Sequence, residues 1–283
     1  MRDSFKVILV GGTGFIGDYL SANLAKKGIN LLVISKNPPK QNQLSNINYS
    51  QVDTINDGKQ FGETVNNADC VVLLHQPEKK VIENLIEFSS GIKKILYASS
   101  ILLYDDSQAP LKETSKLNPL SDYDQKKFEE ENILSEYAKR QNVILTIARL
   151  SNVYGNIKNR GIVQKIFNAL LNDKRFIING DGNQIRDYIF IEDVASYLED
   201  LVILSSKPID TFNICSGKGY SINELISFIE KVSGKKINSQ NGPAIEEKNI
   251  LIGDNKKIIE FSHKKPRFDL EEGLRKTYQN NLR

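Results

Sequence analysis

The sequence predicts an α/β protein in which a doubly wound parallel sheet is followed by a smaller mixed α/β domain. Three observations support this prediction. Short runs of Val, Ile and Leu alternate with helical patterns through the first 155 residues, a glycine-rich turn follows the first run, and the pattern loosens beyond Gly155. Such runs are typical of strands buried on both faces of a parallel sheet, and their alternation with helices indicates βαβ units.

The predicted strands of the sheet are the apolar runs at residues 6–10, 30–34, 47–52, 70–74, 94–98 and 143–148. Between the first two runs, Ile16, Leu20 and Leu24 recur on one helical face, and Gly28 marks the end of that helix. A short helix is predicted at about residues 77–90, and a longer one at residues 122–140. These helices connect strands, as βαβ units require.

Beyond Gly155 the sequence predicts helices at residues 162–171, 192–204, 221–234 and 269–278, an extended segment at 175–178 and a turn at 180–182. Ser221 and Glu224 have the spacing of a capping box at the start of the third of these helices. We therefore expect two domains, residues 1–155 and residues 156–283, with the region 187–205 returning to the first domain.

The composition excludes several classes of function. The net charge of +3 comes from 38 basic and 35 acidic residues dispersed along the chain, which does not suit a nucleic-acid partner. No segment resembles a transmembrane helix or a signal peptide, so we expect a cytoplasmic protein with no membrane partner. Cys70 and Cys215 cannot form a disulfide framework. His75 and His263 are the only histidines, so no metal site is expected.

The turn after the first predicted strand has glycines at three positions, directly before the first helix. In such a turn one glycine permits the tight bend, one lets the backbone approach a pyrophosphate, and one allows close packing of helix and strand. The helix N-terminus then offers free N–H groups and a partial positive charge to the phosphates. The pattern predicts a Rossmann-type dinucleotide-binding domain. The residues expected to hold the cofactor are Gly11, Thr13, Gly14, Phe15, Ile16 and Gly17.

The end of the second predicted strand indicates which nicotinamide cofactor is bound. An acidic residue there would bond the ribose 2′-hydroxyl of NAD, whereas a basic residue would accept the 2′-phosphate of NADP. The strand here runs into Ser35 and Lys36 with no carboxylate. These two side chains can hold a phosphate, although Lys36 can also be interpreted as a solvated loop lysine. NADP(H) is therefore favoured, and NAD(H) is the alternative.

Tyr123 and Lys127 stand one turn apart at the start of the long predicted helix. A phenol is a poor base at neutral pH, but a nearby ammonium favours the phenolate, so the pair can exchange a proton at a carbinol while a hydride moves at the same carbon. Tyr154 and Lys158 have the same spacing in a glycine-interrupted stretch, so context selects Tyr123. Ser100 is expected at the carboxyl edge of the preceding strand, where its hydroxyl can bond the reacting oxygen.

Taken together, these features resemble the extended short-chain dehydrogenase/reductases, in particular the group of nucleotide-sugar epimerases, dehydratases and reductases. The resemblance covers nearly the whole chain and depends on several motifs in the family's order. They are 11–17, 98–100 with Tyr104, Tyr123 with Lys127, 149–155, 180–187, 212–217 and 270–274. The family implies a Rossmann-type domain and a C-terminal domain that binds a nucleotide-sugar substrate.

The resemblance implies that Ser100, Tyr123 and Lys127 are the catalytic residues, and that Tyr123 and Lys127 also contact the cofactor. Asp53, which follows the third predicted strand, would lie near the adenine. Ser100 would in addition contact the substrate. These roles place a proton donor, its charged partner and a hydrogen-bonding hydroxyl around one reacting carbon.

The resemblance also implies two substrate contacts in the second domain. Asn152 would contact the sugar nucleotide, and Arg186 would bind its diphosphate, which suits the fork of a guanidinium. A turn position is the alternative interpretation for Asn152, and a local ion pair with Asp187 is the alternative for Arg186.

Two departures from the family pattern bear on the reaction and the cofactor. Ile101 and Leu102 stand where members that perform 4,6-dehydration carry an Asp-Glu pair, and aliphatic side chains cannot transfer the protons of an elimination. A dehydratase is therefore rejected. His75 and Gln76 replace small residues after the fourth strand and are expected to crowd the cofactor, with His75 interpreted as a surface loop residue without a catalytic role.

Two further departures concern the partners. Fewer than 20 residues separate Gln76 from Lys94, so the helix that contributes to the family's dimer interface is short and weakens the expectation of a homodimer. Residues 246–249 occupy the place of an Arg-Pro-x-Asp element, where Lys248 would substitute as a point charge without a fork.

The leading hypothesis is NADPH-dependent reduction of a nucleotide-4-keto-6-deoxysugar, as in the synthesis of surface-polysaccharide sugars. In it, Tyr123 supplies the proton, Lys127 lowers the pKa of the phenol, and Ser100 orients the carbonyl. The first alternative is an NAD-dependent nucleotide-sugar 4-epimerase, which returns the hydride to the same sugar. The second is a non-catalytic NADP(H) sensor, which the presence of the tyrosine–lysine pair disfavours.

Overall fold

The computed structural model describes residues 5–39, 44–76, 78–106, 109–156 and 158–282. Within these ranges the strands are β1 (Val7–Val10), β2 (Leu31–Ser35), β3 (Ile47–Gln51), β4 (Cys70–Leu73), β5 (Lys94–Ser100), β6 (Ile144–Leu150), β7 (Asn152–Tyr154), β8 (Phe176–Asn179), β9 (Ile185–Phe190), β10 (Ile209–Ile214), β11 (Gly219–Ser221), β12 (Ser239–Gly242) and β13 (Ile250–Leu251). The helices are α1 (Phe15–Lys26), α2 (Gly58–Val65), α3 (Lys79–Phe88), α4 (Asp122–Gln141), α5 (Ile162–Leu171), α6 (Ile191–Leu204), α7 (Ile222–Ser233), α8 (Lys256–Ser262) and α9 (Leu270–Asn281).

The largest sheet in the described chain has seven strands in the order β10-β6-β5-β4-β1-β2-β3. β1 lies between β2 and β4 and is parallel to both, with Val7 opposite Leu31 and Cys70. The chain therefore runs outward from β1 to β3, returns to β4 and continues outward on the other side. This confirms the predicted doubly wound sheet. Its strand order reverses between β1 and β4, where ligands bind in open α/β sheets.

The strands form because their side chains are apolar on both faces. Every residue of β1 and of β4 is buried, and residues such as Ile8, Val71 and Leu145 are fully enclosed in one continuous core. Burying a side chain of this size contributes about 1.5–3 kcal/mol. The sheet is thus a rigid support for the loops at its carboxyl edge.

The observed boundaries refine the predicted ones. The fifth strand extends beyond residue 98 to Ser100, and the long helix spans Asp122–Gln141. The short helix spans Lys79–Phe88, and Pro77, which the prediction included, lies outside the described residues. The sequence analysis missed α2, because its eight residues include two glycines and bury an apolar face of only Phe61 and Val65.

The described residues divide into two compact units. The first contains the chain up to Leu103, Ser121–Arg149 and Ala195–Phe212, and the second contains Tyr104–Leu120, Leu150–Val194 and the chain from Asn213 onward. Compared with the predicted domains, the second unit gains residues 104–120. This segment is held there by the Tyr104 hydroxyl, which hydrogen-bonds Asn213 Oδ1 over 2.8 Å. The returning segment begins at Ala195 rather than at residue 187.

The second unit contains a small mixed sheet in which β9 pairs with β7, β11 and β13. A separate parallel pair, β8 and β12, lies in the same unit. The capping box predicted before α7 is confirmed, since Ser221 Oγ accepts from the Glu224 N–H over 3.1 Å and Glu224 Oε2 accepts from the Ser221 N–H over 2.7 Å. In the described part of the chain, no helix has the length and apolarity needed to cross a membrane.

Candidate functional site

The glycine loop between β1 and α1 has the geometry that the sequence predicts. Gly11 has a φ of +81°, which favours glycine, and Gly14 stands at the N-cap of α1 without a side chain. No side-chain hydrogen bond caps this helix in the described chain. A Cβ atom on Gly17 would lie 2.4 Å from Gly12 Cα, so helix and loop pack backbone to backbone. A helix N-terminus left open in this way fits the pyrophosphate of a dinucleotide.

Gly17→Ala is expected to lower stability by about 1–3 kcal/mol and to weaken nucleotide binding, since the new methyl group forces the loop away from α1. Chemical unfolding and a titration with reduced nicotinamide cofactor would measure both effects. Asn23→Ala, on the same helix, is the matched control and should leave cofactor affinity unchanged. Wild-type affinity in the Gly17 variant would contradict the assignment of this loop.

The residues predicted to select the cofactor contact one another. Thr13 Oγ1 lies 3.1 Å from Ser35 Oγ at the end of β2. Lys36 Nζ lies 2.8 Å from Asp53 Oδ2, so the predicted phosphate ligand is ion-paired with the residue predicted near the adenine. The Lys36 ammonium, which hydrogen-bonds Asp53, holds the pKa of that carboxyl well below its usual range. Lys36 is therefore exposed but not simply a solvated loop lysine.

Tyr123 and Lys127 are positioned by the start of α4. Ser121 Oγ accepts from the Asp124 N–H over 3.1 Å, and Asp124 Oδ2 accepts from the Ser121 N–H over 3.2 Å, so a capping box begins the helix at Asp122. Tyr123 and Lys127 thus lie one turn apart, as predicted. The tyrosine is 37% exposed, whereas the lysine is 2% exposed.

Lys127 joins α4 to the sheet. Its Nζ donates to the carbonyl of Ala98 over 2.8 Å and to the carbonyl of His75 over 3.4 Å, and it lies 4.5 Å from the centroid of the Tyr97 ring. Burial lowers the pKa of Lys127 to about 8, and this effect outweighs the nearby carboxylates, which favour the ammonium.

The phenol of Tyr123 is not acidic in the polypeptide alone. Partial burial is the main cause that raises its pKa to about 12, although the residue stays 37% exposed, and the negative charges of Asp124 and Glu130 add to it. The expectation of a lowered phenol pKa is therefore wrong for the chain by itself. The ammonium of Lys127 itself lies among two carbonyl oxygens and the Glu130 carboxylate. The phenol of Tyr123 is therefore protonated at neutral pH in this state.

Ser100 is the last residue of β5 and is buried, as expected for the carboxyl edge of the sheet. Its Oγ accepts from the Leu102 N–H over 3.1 Å. A short 3₁₀ turn, Ile101–Leu103, follows, and Ile101 is fully packed into the core. The two positions after Ser100 therefore offer no acid or base, and the rejection of a dehydratase stays a prediction.

The groups that surround Lys127 were not predicted from the sequence. Glu130 lies three residues after Lys127, a spacing that brings two side chains to one helix face and that could have indicated the contact. Tyr97 donates its hydroxyl to Glu130. The interpretation of His75 as a surface loop residue is wrong, because its side chain is 11% exposed and its Nε2 lies 3.6 Å from Glu130 Oε1.

In the second unit, Asn152 and Arg186 line one cavity of about 190 Å³. The Asn152 amide donates to the Asp187 carbonyl over 3.1 Å. The guanidinium of Arg186 is buried and forms an ion pair with Glu247, which lines the same cavity. Any anionic group that binds Arg186 therefore competes with this carboxylate.

Asp187 does not pair with Arg186, so the alternative of a local ion pair is wrong. Its carboxylate instead accepts from the N–H groups of Ser216 and Gly217, over 2.8 and 2.9 Å, and from the Ser151 hydroxyl over 3.2 Å. Complete burial raises the pKa of Asp187 to about 6, although these donors oppose the shift. Asp187 therefore fixes the loop after β10. The guanidinium of Arg186 does not bond it and lines the cavity instead.

Across the described residues, no group of three or more His, Cys, Asp or Glu side chains is arranged to hold a metal ion. The first unit contains the Tyr123 phenol, the Lys127 ammonium and the Ser100 hydroxyl, together with a loop that fits a dinucleotide. This set can transfer a proton to or from an oxygen while a hydride moves at the attached carbon.

Known proteins are similar to this chain in sequence and in fold. A putative UDP-glucose 4-epimerase of Methanocaldococcus jannaschii is 26% identical over 95% of this chain and 96% of that protein. A dTDP-4-dehydro-6-deoxyglucose reductase of Escherichia coli is 28% identical over 95% of each. The UDP-glucuronic acid 4-epimerase of Bacillus cereus, solved with UDP-glucuronic acid and NAD, superposes with a TM-score of 0.86 at 22% identity, over 97% of this chain and 98% of that one.

The family model for NAD dependent epimerases and dehydratases matches residues 7–215, which is most of the chain. It therefore covers the glycine loop, Ser100, the tyrosine–lysine pair and both predicted substrate contacts. The chain belongs to the NAD-dependent epimerase/dehydratase family and is an NAD(P)-dependent enzyme of the extended short-chain dehydrogenase/reductase type.

Proposed function

We propose that this enzyme reduces a nucleotide-4-keto-6-deoxysugar at C4 with NADPH. The observation that supports this most strongly is the anchoring of Lys127 to Ala98, two residues before Ser100, with Tyr123 one helical turn away. This supports a constellation in which Tyr123 is the proton donor, Lys127 the cation and Ser100 the hydroxyl around one reacting carbon.

In the proposed reaction the reduced nicotinamide supplies a hydride to C4 of the sugar. Tyr123 donates its phenolic proton to the carbonyl oxygen, and Ser100 donates a hydrogen bond to the same oxygen. Lys127 stabilises the phenolate that remains. The raised pKa of Tyr123, about 12, suits this direction, because reduction requires a phenol that begins the cycle protonated.

The proposed substrate carries a nucleoside diphosphate. The related reductase and epimerases have names that refer to nucleotide-linked sugars, and the cavity of the second unit is lined by Asn152 and the Arg186 guanidinium. Arg186 would bind the diphosphate in place of Glu247. A cytoplasmic location, a role in polysaccharide synthesis and a homodimer stay predictions.

One observation favours a 4-epimerase as the second candidate. Asp53 already neutralises Lys36, which weakens the argument for a 2′-phosphate and agrees better with NAD. The similar Bacillus cereus protein is an epimerase solved with NAD. We still favour NADP(H), because the end of β2 has no carboxylate and places the hydroxyls of Ser35 and Thr13 side by side. Mass analysis of the nucleotide that co-purifies with the protein would distinguish the two cofactors.

Asp53→Asn is expected to shift the preference toward NADPH by about two- to fivefold, because an exposed ion pair is weak. The variant frees Lys36 for the 2′-phosphate, and Lys36→Ala should shift the preference in the opposite direction. The measured quantity is the ratio of kcat/KM for NADPH to kcat/KM for NADH. In this ratio the effects of contacts that both cofactors make cancel. An unchanged ratio in both variants would remove this pair from cofactor selection.

The reaction itself is tested by mixing the purified enzyme with a nucleotide-4-keto-6-deoxysugar and NADPH. We expect the absorbance of the reduced cofactor to fall in proportion to the 4-hydroxy sugar formed. In a second incubation, with a nucleotide-linked 4-hydroxy sugar, inversion of the 4-hydroxyl without net consumption of NADPH would instead establish the epimerase.

A further inference from the structure

A carboxylate is buried behind the lysine of the proposed proton-transfer pair. Glu130 is 1% exposed, and its Oε2 lies 3.9 Å from Lys127 Nζ. The Tyr97 hydroxyl donates to the same oxygen, and the Glu78 N–H donates to Oε1 over 2.6 Å. Glu130 is therefore fixed by three parts of the first unit: its own helix α4, the strand β5 and the residue before α3.

Glu130 carries negative charge, and no arginine in the described part of the chain pairs with it. The adjacent Glu131 is engaged by Arg149 through two hydrogen bonds of 3.0 and 2.6 Å. Among the described residues, the ion-pair partners of Glu130 are Lys127 and His75, and an imidazole is charged only when protonated. Lys127 otherwise bonds neutral carbonyls, so Glu130 balances its buried ammonium.

We propose that Glu130 is a positioning residue whose carboxylate keeps Lys127 protonated and directed at the carbonyl of Ala98. The inference rests on the proposed function of Lys127 and extends it to a group that touches neither substrate nor cofactor. The titratable groups around Glu130 are the Lys127 ammonium and the Tyr123 phenol on α4, the Tyr97 phenol on β5 and the His75 imidazole after β4. Glu131, on α4, adds a negative charge that Arg149 compensates.

Removing the negative charge of Glu130 lowers the proton affinity of both Lys127 and Tyr123. Its carboxylate raises the pKa of Lys127, which is about 8, and of Tyr123, which is about 12. Glu130→Gln therefore lowers both pKa values. We expect the alkaline limb of kcat/KM for ketone reduction to move about one pH unit lower, which is a roughly tenfold loss of rate above the limb.

The most direct test follows the ¹³Cε resonance of Lys127 against pH by NMR in the full chain without substrate, assigned with Lys127→Arg. We expect the titration midpoint to fall by about one pH unit in Glu130→Gln, a tenfold change in the proton equilibrium. Glu129→Gln is the matched control, because Glu129 is exposed, lies one position away and pairs with Lys79 at the surface. Its midpoint should equal that of the wild type.

An unchanged midpoint in Glu130→Gln would overturn the proposal, even if the rate fell, because a purely structural role lowers the rate without moving the titration. If that variant does not fold, Glu130→Asp provides the test, because aspartate keeps the negative charge but holds it farther from the Lys127 ammonium. The titration midpoint of Lys127 should then fall by a smaller amount. An unchanged midpoint in Glu130→Asp would refute the inference. A lysine shift in a protein that reduces no keto sugar would refute the proposed function alone.

Discussion

Tyr123→Phe is expected to lower kcat by at least about a hundredfold while leaving cofactor affinity nearly unchanged. Phenylalanine keeps the ring at the second position of α4 and removes only the proton donor. Because the tyrosine is exposed at the helix start, the lost hydroxyl leaves no buried partner unpaired, and stability should change by less than about 0.5 kcal/mol. Steady-state kinetics and a fluorescence titration with reduced cofactor measure the two quantities.

The second tyrosine–lysine spacing in the chain supplies the control for this prediction. Tyr154 lies four residues before Lys158, but its ring is buried and its hydroxyl donates to the Leu270 carbonyl over 3.4 Å. Tyr154→Phe should therefore cost about 1 kcal/mol of stability and leave kcat intact. Unchanged turnover in Tyr123→Phe would remove the proposed proton donor, and an unchanged biological role without turnover would favour the sensor hypothesis.

Lys127→Met is expected to abolish reduction and also to destabilise the fold by about 3–5 kcal/mol. Methionine has a similar length but no charge, so the phenolate loses its ammonium and Glu130 becomes a buried carboxylate without its lysine. The hydrogen bond from Nζ to the Ala98 carbonyl is lost as well. Urea unfolding gives the stability change, and kinetics at substrate saturation give the change in kcat.

The neighbouring residue on α4 makes a matched control. Lys126 is exposed, so Lys126→Met should change stability by less than about 0.5 kcal/mol and leave kcat unaltered. Wild-type stability in Lys127→Met would mean that Lys127 and Glu130 do not form an energetically important pair. Wild-type kcat would remove Lys127 from the proposed mechanism.

The sheet could be predicted from the sequence because its signals are local. Val7 to Val10 and Cys70 to Leu73 are continuous apolar runs, and buried parallel strands need this composition whatever else the chain does. The segment 104–120 has no such signal. It belongs to the second unit because of single contacts distant in sequence, such as the Leu111 N–H with the Ile252 carbonyl at 2.8 Å.

The candidate site was predictable where a residue type and its position along one element determine the geometry. The glycine loop and the Tyr123–Lys127 spacing are of this kind. The pairing of Lys36 with Asp53 and of Arg186 with Glu247 joins residues from different elements, so no local pattern indicates it. The pKa of Tyr123 could not be predicted from the local sequence either, because it depends on the burial of the phenol and on every neighbouring charge.

The central claim is a net transfer of hydride to C4 of a nucleotide-linked keto sugar, with the proton supplied by Tyr123. The most direct measurement uses NADPH deuterated at the transferred position of its nicotinamide and analyses the sugar product by mass spectrometry and NMR. We predict one deuterium at the sugar C4 for each NADPH consumed in the wild type, and at least about a hundredfold slower incorporation in Tyr123→Phe. Unconsumed NADPH with the keto sugar, together with inversion of C4 when a nucleotide-linked 4-hydroxy sugar is supplied instead, would contradict it.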